Sequence, residues 1–104
     1  MEKFIQIFTT TSSKKSAMTI ADALVSKRLA ACVQVIGPIS SVYNWDGKKE
    51  HSKEWLCIIK SRKSLYSRVE KAIKELHDYS LPEITSFEMG GSKDYLSWVG
   101  KETR

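Results

Sequence analysis

The dipeptide Asp46-Gly47 constrains this chain more than any other feature of its sequence. It lies between two long extended runs. A two-residue type I′ turn needs positive φ at both central positions, and Asp-Gly supplies that at low cost. The flanking runs therefore form an antiparallel hairpin in which Trp45 faces Lys48 and Tyr43 faces Glu50. The incoming arm reads Cys32-Val33-Gln34-Val35-Ile36, then meets Gly37-Pro38, where the missing proline N–H predicts a bend or bulge, and continues from Ile39 to Trp45. The outgoing arm runs from about Lys49 to Lys60, with Trp55-Leu56-Cys57-Ile58-Ile59 as its apolar centre.

The rest of the chain adds a strand and a helix before this hairpin, and a helix, a strand and a short final helix after it. Phe4 to Thr10 is aromatic and β-branched and reads as a strand. Thr11-Ser12-Ser13 offers cap side chains, and Ala17, Ile20, Ala21, Leu24 and Arg28 recur at helical spacing over residues 14–28. After the hairpin, Ser64 is placed to cap a second helix, on which Leu65, Val69, Ala72, Ile73 and Leu76 form an apolar stripe. His77-Asp78-Tyr79-Ser80 ends that helix and Pro82 prevents its return. Glu83 to Met89 reads as the fourth strand, closed by Gly90-Gly91. Ser92 then caps a short helix over residues 93–99. The order is β-α-β-β-α-β plus a C-terminal helix. This predicts an α+β, ferredoxin-like fold: an antiparallel sheet with two helices on one face and a long hairpin between its second and third strands.

A chain of 104 residues, 41% hydrophobic and 28% charged, suits one globular domain over residues 1–104. The balance of 17 Lys and Arg against 12 Asp and Glu gives a net charge of +5. The basic residues are scattered among acids, so the charge reads as a basic-leaning surface rather than a nucleic-acid footprint. No apolar run approaches the ~18 residues of a membrane span. The start, Met1 to Gln6, lacks the pattern of a signal peptide, and two cysteines do not make a disulfide scaffold. The expectation is a reduced, cytoplasmic protein with neither membrane nor nucleic acid as partner.

Two helices cover only one face of such a sheet, and a water-facing second face should alternate apolar with polar. These strands do not. Leu56 and Ile58 point one way, Trp55, Cys57 and Ile59 the other; Ile5 and Ile7 oppose Phe4 and Phe8. Both faces call for burial, which predicts self-association through the sheet, with Tyr43, Trp45 and Trp55 of the hairpin reaching a neighbouring subunit.

Chemistry-bearing residues are few. His77 stands beside Asp78, Tyr79 and Glu83, where an imidazole and two carboxylates could hold a divalent metal. The alternative is a helix-terminal His that meets the last carbonyls. Cys32 and Cys57 sit in apolar strand centres and read as small hydrophobes; there is no Cys-x-x-Cys. No phosphate loop or nucleophile signature is present, so no enzyme is read here. The RNA-binding RRM shares the element order but needs glycines and stacking aromatics on its third strand, where this chain has Glu54 to Lys60 with one aromatic. An acylphosphatase-like enzyme needs an Arg-bearing anion loop after the first strand, and residues 9–13 contain no Arg.

The segments Leu29-Ala30-Ala31-Cys32-Val33, Ser41 to Lys48, Ile58-Ile59-Lys60-Ser61, Glu75 to Ile84 and Tyr95-Leu96-Ser97-Trp98 together resemble the CutA family of divalent-cation tolerance proteins, in the family order and over nearly the whole chain. The resemblance implies a ferredoxin-like homotrimer with sheets around the threefold axis, a role in tolerance to metal ions, and copper or other divalent cations as ligands. It carries no enzymatic reaction. It also implies that Cys32, Lys60, Tyr79, Glu83 and Trp98 line a cleft between subunits. Some members place a Cys at the end of the first strand and a His pair before the Tyr-x-x-Pro-Glu segment as copper ligands. Thr9 and Leu76-His77 stand there, leaving only His77. Weak metal binding at His77, Asp78 and Glu83 is the expectation. A second possibility is a sensor like the nitrogen-signalling PII trimers, which share the fold and bind small molecules between subunits.

Overall fold

A computed structural model describes residues 2–104. Four strands, β1 (Phe4–Thr11), β2 (Cys32–Trp45), β3 (Lys48–Arg62) and β4 (Thr85–Met89), form one sheet in the order β2-β3-β1-β4, and every adjacent pair is antiparallel. Three helices accompany them: α1 (Lys14–Ser26), α2 (Tyr66–Leu76) and α3 (Lys93–Glu102). This is the expected ferredoxin-like α+β arrangement.

Side-chain alternation divides the sheet. Ile5, Ile7, Cys57 and Ile59 point to one side and are fully buried or nearly so against Ala17, Ile20 and Leu24 of α1 and Val69 and Ile73 of α2. Phe4, Phe8, Leu56 and Ile58 point to the other side. There, among the described residues, α3 alone gives cover, at the end where Arg62 hydrogen-bonds Thr103 Oγ1 at 2.9 Å and also donates to the Gly100 carbonyl. The remainder of that face is open, with Ile36 49% and Phe87 50% exposed and Phe8 packed edge-on against Phe87 at 5.2 Å.

The hairpin closes as expected. Asp46 and Gly47 have φ of 53° and 78°, and Trp45 pairs with Lys48 and Tyr43 with Glu50. The register slips between Ile36 and Ile39, so Gly37-Pro38 is a bulge. Gly37 is required there: a Cβ would fall inside the Trp55 indole. Beyond the bulge the two arms extend past the body, making the molecule 44 Å long against 24 and 22 Å.

Several boundaries differ from expectation. Helix α1 starts on its Ser13 cap, whose hydroxyl accepts from Ser16 N–H, but ends at Ser26. Arg28 then takes a φ of 59°, which turns the chain so that Leu29 and Ala30 N–H bond back to the Leu24 carbonyl. Ser64 does not cap α2. A 3₁₀ turn over Lys63–Leu65 intervenes and carries Leu65 into the core. Helix α3 begins on Ser92 as expected but runs past residue 99 to Glu102, where Thr103 Oγ1 donates to the Val99 carbonyl. Strand β4 starts at Thr85 rather than Glu83.

Candidate functional site

The shortened β4 leads to the site. Its last pair with β1 is Phe8–Thr85, and the Thr10 carbonyl just beyond is taken by His77, whose Nε2 lies 2.8 Å away. His77 Nδ1 accepts from the Tyr79 N–H at 3.1 Å, so Nε2 carries the proton and donates it to Thr10. The imidazole is fully buried, with Asp78 Oδ1 3.6 Å from Nδ1. Both ring nitrogens are used. His77 staples the segment after α2 to the end of β1, and it offers no free lone pair to a metal. The imidazole meets a strand carbonyl, and only the His77 backbone N–H returns to the helix, donating to the Ile73 carbonyl at 2.9 Å.

That staple projects residues 78–83 against the base of the hairpin, enclosing a groove of about 680 Å³. Its walls are Tyr43 and Trp45 from β2, Glu54 from β3, and Asp78, Tyr79 and Glu83 from the segment after α2. Glu54 is 7% exposed, and the Tyr79 hydroxyl donates to its carboxylate at 2.9 Å. Burial, then the Glu54 hydrogen bond and charge, push the Tyr79 phenol far above its usual ionisation range.

Of the three expected metal-site residues, Asp78 and Glu83 line the groove and His77 lies beneath it. Among the described residues no three His, Cys, Asp or Glu side chains gather closely enough to hold an ion. The four residues expected to share a cleft with Glu83 fall into two places. Tyr79 is in the groove. Cys32 is the cross-strand partner of Lys60 at the opposite end of β3, where Lys60 Nζ stands 5.5 Å from the centroid of the Tyr95 ring and Tyr95 packs on Trp98 at 5.6 Å. Trp55, expected on the reaching part of the hairpin with Tyr43 and Trp45, packs instead on Gly37 and the core. The one aromatic of the third strand thus faces inward, where it cannot stack on a base.

Sequence reasoning missed Glu54 and Tyr95. Alternation could have found Glu54, because it shares the hairpin face of Tyr43 and Glu50. Tyr95 was signalled by its spacing from Trp98, three positions along one helix face. Both cysteines are free. Cys57 lies in the core with its sulfur 3.8 Å from the Ala17 carbonyl, and burial pushes its thiol up to about 11.

A split βαβ sheet with an overlong central hairpin, a third helix on the open face and an acid-and-aromatic groove at the hairpin base defines a small α+β protein built around surface clefts. The chain belongs to the CutA1 divalent ion tolerance protein family, whose profile matches residues 5–102. It is 36% identical over 104 residues to a divalent-cation tolerance protein CutA of Thermus thermophilus, with 99% of each chain covered. It is 37% identical over 101 residues to the chloroplastic protein CutA 1 of Oryza sativa, covering 96% of this chain and 57% of that one. The chain thus spans little more than half the length of its plant relatives. The solved structure of CutA1 from Oryza sativa superposes with a TM-score of 0.95 at 36% identity, covering 98% of this chain and 94% of that one. The Thermus thermophilus structure does so with a TM-score of 0.93 at 34% identity over the whole of both chains. No helix among the described residues is long and apolar enough to cross a membrane.

Proposed function

We propose that the protein is a non-enzymatic homotrimer that serves tolerance to divalent metal ions and binds such ions weakly at clefts between its subunits. The observation that carries this reading is the separation of the cleft residues. Lys60 and Glu54 sit six positions apart on β3, about 20 Å along a strand, so Tyr79 and the Cys32–Lys60–Trp98 group share a cleft only across two copies. The open apolar face beside α3 supports the same assembly, because soluble monomers seldom leave such a face bare. The free cysteines suit a reducing, cytoplasmic setting.

The donor set favours hard ions over copper. Asp78 and Glu83 present carboxylate oxygens at the groove rim, whereas the His77 ring is committed to Thr10 and Tyr79. Oxygen donors suit Mg and Mn; copper calls for imidazole or thiolate. Calorimetric titration of the purified protein with Mn²⁺ and Cu²⁺, beside light scattering, tests the reading. A trimer mass is expected, with Mn²⁺ binding at micromolar or weaker affinity that Asp78→Asn/Glu83→Gln removes and His77→Gln retains. A monomer, or binding untouched by the carboxylate substitutions, overturns it.

A further inference from the structure

The groove is anionic in a cationic protein. Glu54, Asp78 and Glu83 line it, and no Lys, Arg or His does, although the net charge is +5. Asp78 and Glu83 are exposed to water, but Glu54 is 7% exposed and makes no ion pair among the described residues. A neutral phenol is its hydrogen-bond partner. A carboxylate removed from water to this degree calls for a counter-charge.

Lys60 is its complement. It points to the same side of β3, since the interval of six is even, and emerges on the open apolar face. The next cation along that side of β3, Arg62, is paired with Glu2 at 2.9 Å and held by Thr103. Lys60 makes no ion pair among the described residues and has only the Tyr95 ring beneath it. One strand thus carries a buried unpaired carboxylate at its middle and an unpaired ammonium near its end, too far apart to meet.

We propose that Lys60 of one copy enters the groove of the next and pairs with Glu54, between the rings of Tyr43, Trp45 and Tyr79. The aromatic walls suit an ammonium, which is drawn to ring faces. The long lysine stem can lie along the apolar ring faces of the groove while its ammonium reaches Glu54. The contact is directional. Because each copy offers one Lys60 and one groove, the same contact repeats head to tail until the ring closes. This rests on the homotrimer reading and adds the residues that set its direction.

The test uses the full chain. Protomers carrying two different fluorophores are mixed, and their exchange between assemblies is timed for the wild type, Glu54→Gln, Lys60→Gln and the double variant, with circular dichroism confirming the fold. Each single substitution is expected to speed exchange at least tenfold, and the double variant to be no faster than either single one. Additive effects, or no effect in a wild type that is assembled, overturn the pair while leaving the trimer standing. A wild type that is monomeric overturns the trimer itself. Carbodiimide treatment of mixed isotopically labelled and unlabelled wild-type protein supplies an arm free of folding effects. A Lys60–Glu54 crosslink joining labelled to unlabelled peptide supports the pair, and its absence overturns it.

Discussion

The Tyr79 hydroxyl donates to the Glu54 carboxylate across 2.9 Å, tying the segment after α2 to the base of the hairpin 25 positions earlier in the chain. Ionising the phenol would set two negative charges against each other in a half-buried place. In a spectrophotometric titration Tyr79 is therefore expected to ionise after the other tyrosines. Tyr79→Phe removes the late component, and Glu54→Gln moves it to lower pH because the repelling charge is gone. A late component that persists in Tyr79→Phe would contradict this.

Gly37→Ala is expected to destabilise the protein by about 1–3 kcal/mol, because the added methyl overpacks against the Trp55 indole. Gly47→Val acts by another route. Space around Gly47 is open, but its φ of 78° is strained for a β-branched residue, and a loss of about 1–2 kcal/mol is expected. Chemical denaturation checks both. Stability equal to wild type in either would place the constraint elsewhere.

Thr9 carries a buried hydroxyl with no hydrogen-bond partner among the described residues, on the core face opposite Cys57. Thr9→Val replaces that hydroxyl with a methyl of similar size. The expected result is unchanged or raised stability, by up to about 2 kcal/mol, since an unsatisfied buried polar group is removed. A clear drop in the unfolding midpoint would mean that the hydroxyl has a partner.

Cys57 makes stability fall in alkali. Its thiol is raised from 9.0 to about 11 by burial, so the unfolded chain loses its proton first. The stabilising contribution is whole below pH 9 and is lost as pH rises through about 11, about 3 kcal/mol in all. Cys57→Val should flatten the decline over that window in denaturant midpoints measured against pH. An identical decline in the variant would assign it to other groups.

What could be read from the sequence was what local chemistry decides. The Asp46-Gly47 turn and the Ser13 and Ser92 caps depend on neighbours within a few positions, and each formed as expected; of the expected α2 stripe, Val69, Ala72 and Ile73 are buried on the helix, Leu65 is buried in the turn before it, and Leu76 is left 38% exposed at its end. The lead-in to α2 was not legible, because the burial of Leu65, a tertiary event, replaced the Ser64 cap by a 3₁₀ turn. The start of β4 and the role of His77 share one cause. The carbonyl that engages the imidazole belongs to Thr10, 67 positions away, and no spacing rule connects the two. Of the candidate site, Asp78, Tyr79 and Glu83 were found together because they are consecutive or nearly so. Glu54 joins them only after β3 has crossed the sheet.

Strand β3 has a paired neighbour on each side only from Leu56 to Lys60; from Lys48 to Glu54 it pairs with β2 alone. A two-stranded ribbon in water is marginally stable by itself, and segments of this kind open locally while the rest of a domain stays folded. The outer hairpin therefore serves as a gauge of its surroundings. In a solitary copy its amide protons exchange with solvent freely, while those of the four-stranded part are held. When neighbours close around Tyr43 and Trp45, the same protons become slow, so the tip of the hairpin records, in its own hydrogen exchange, whether the molecule has company.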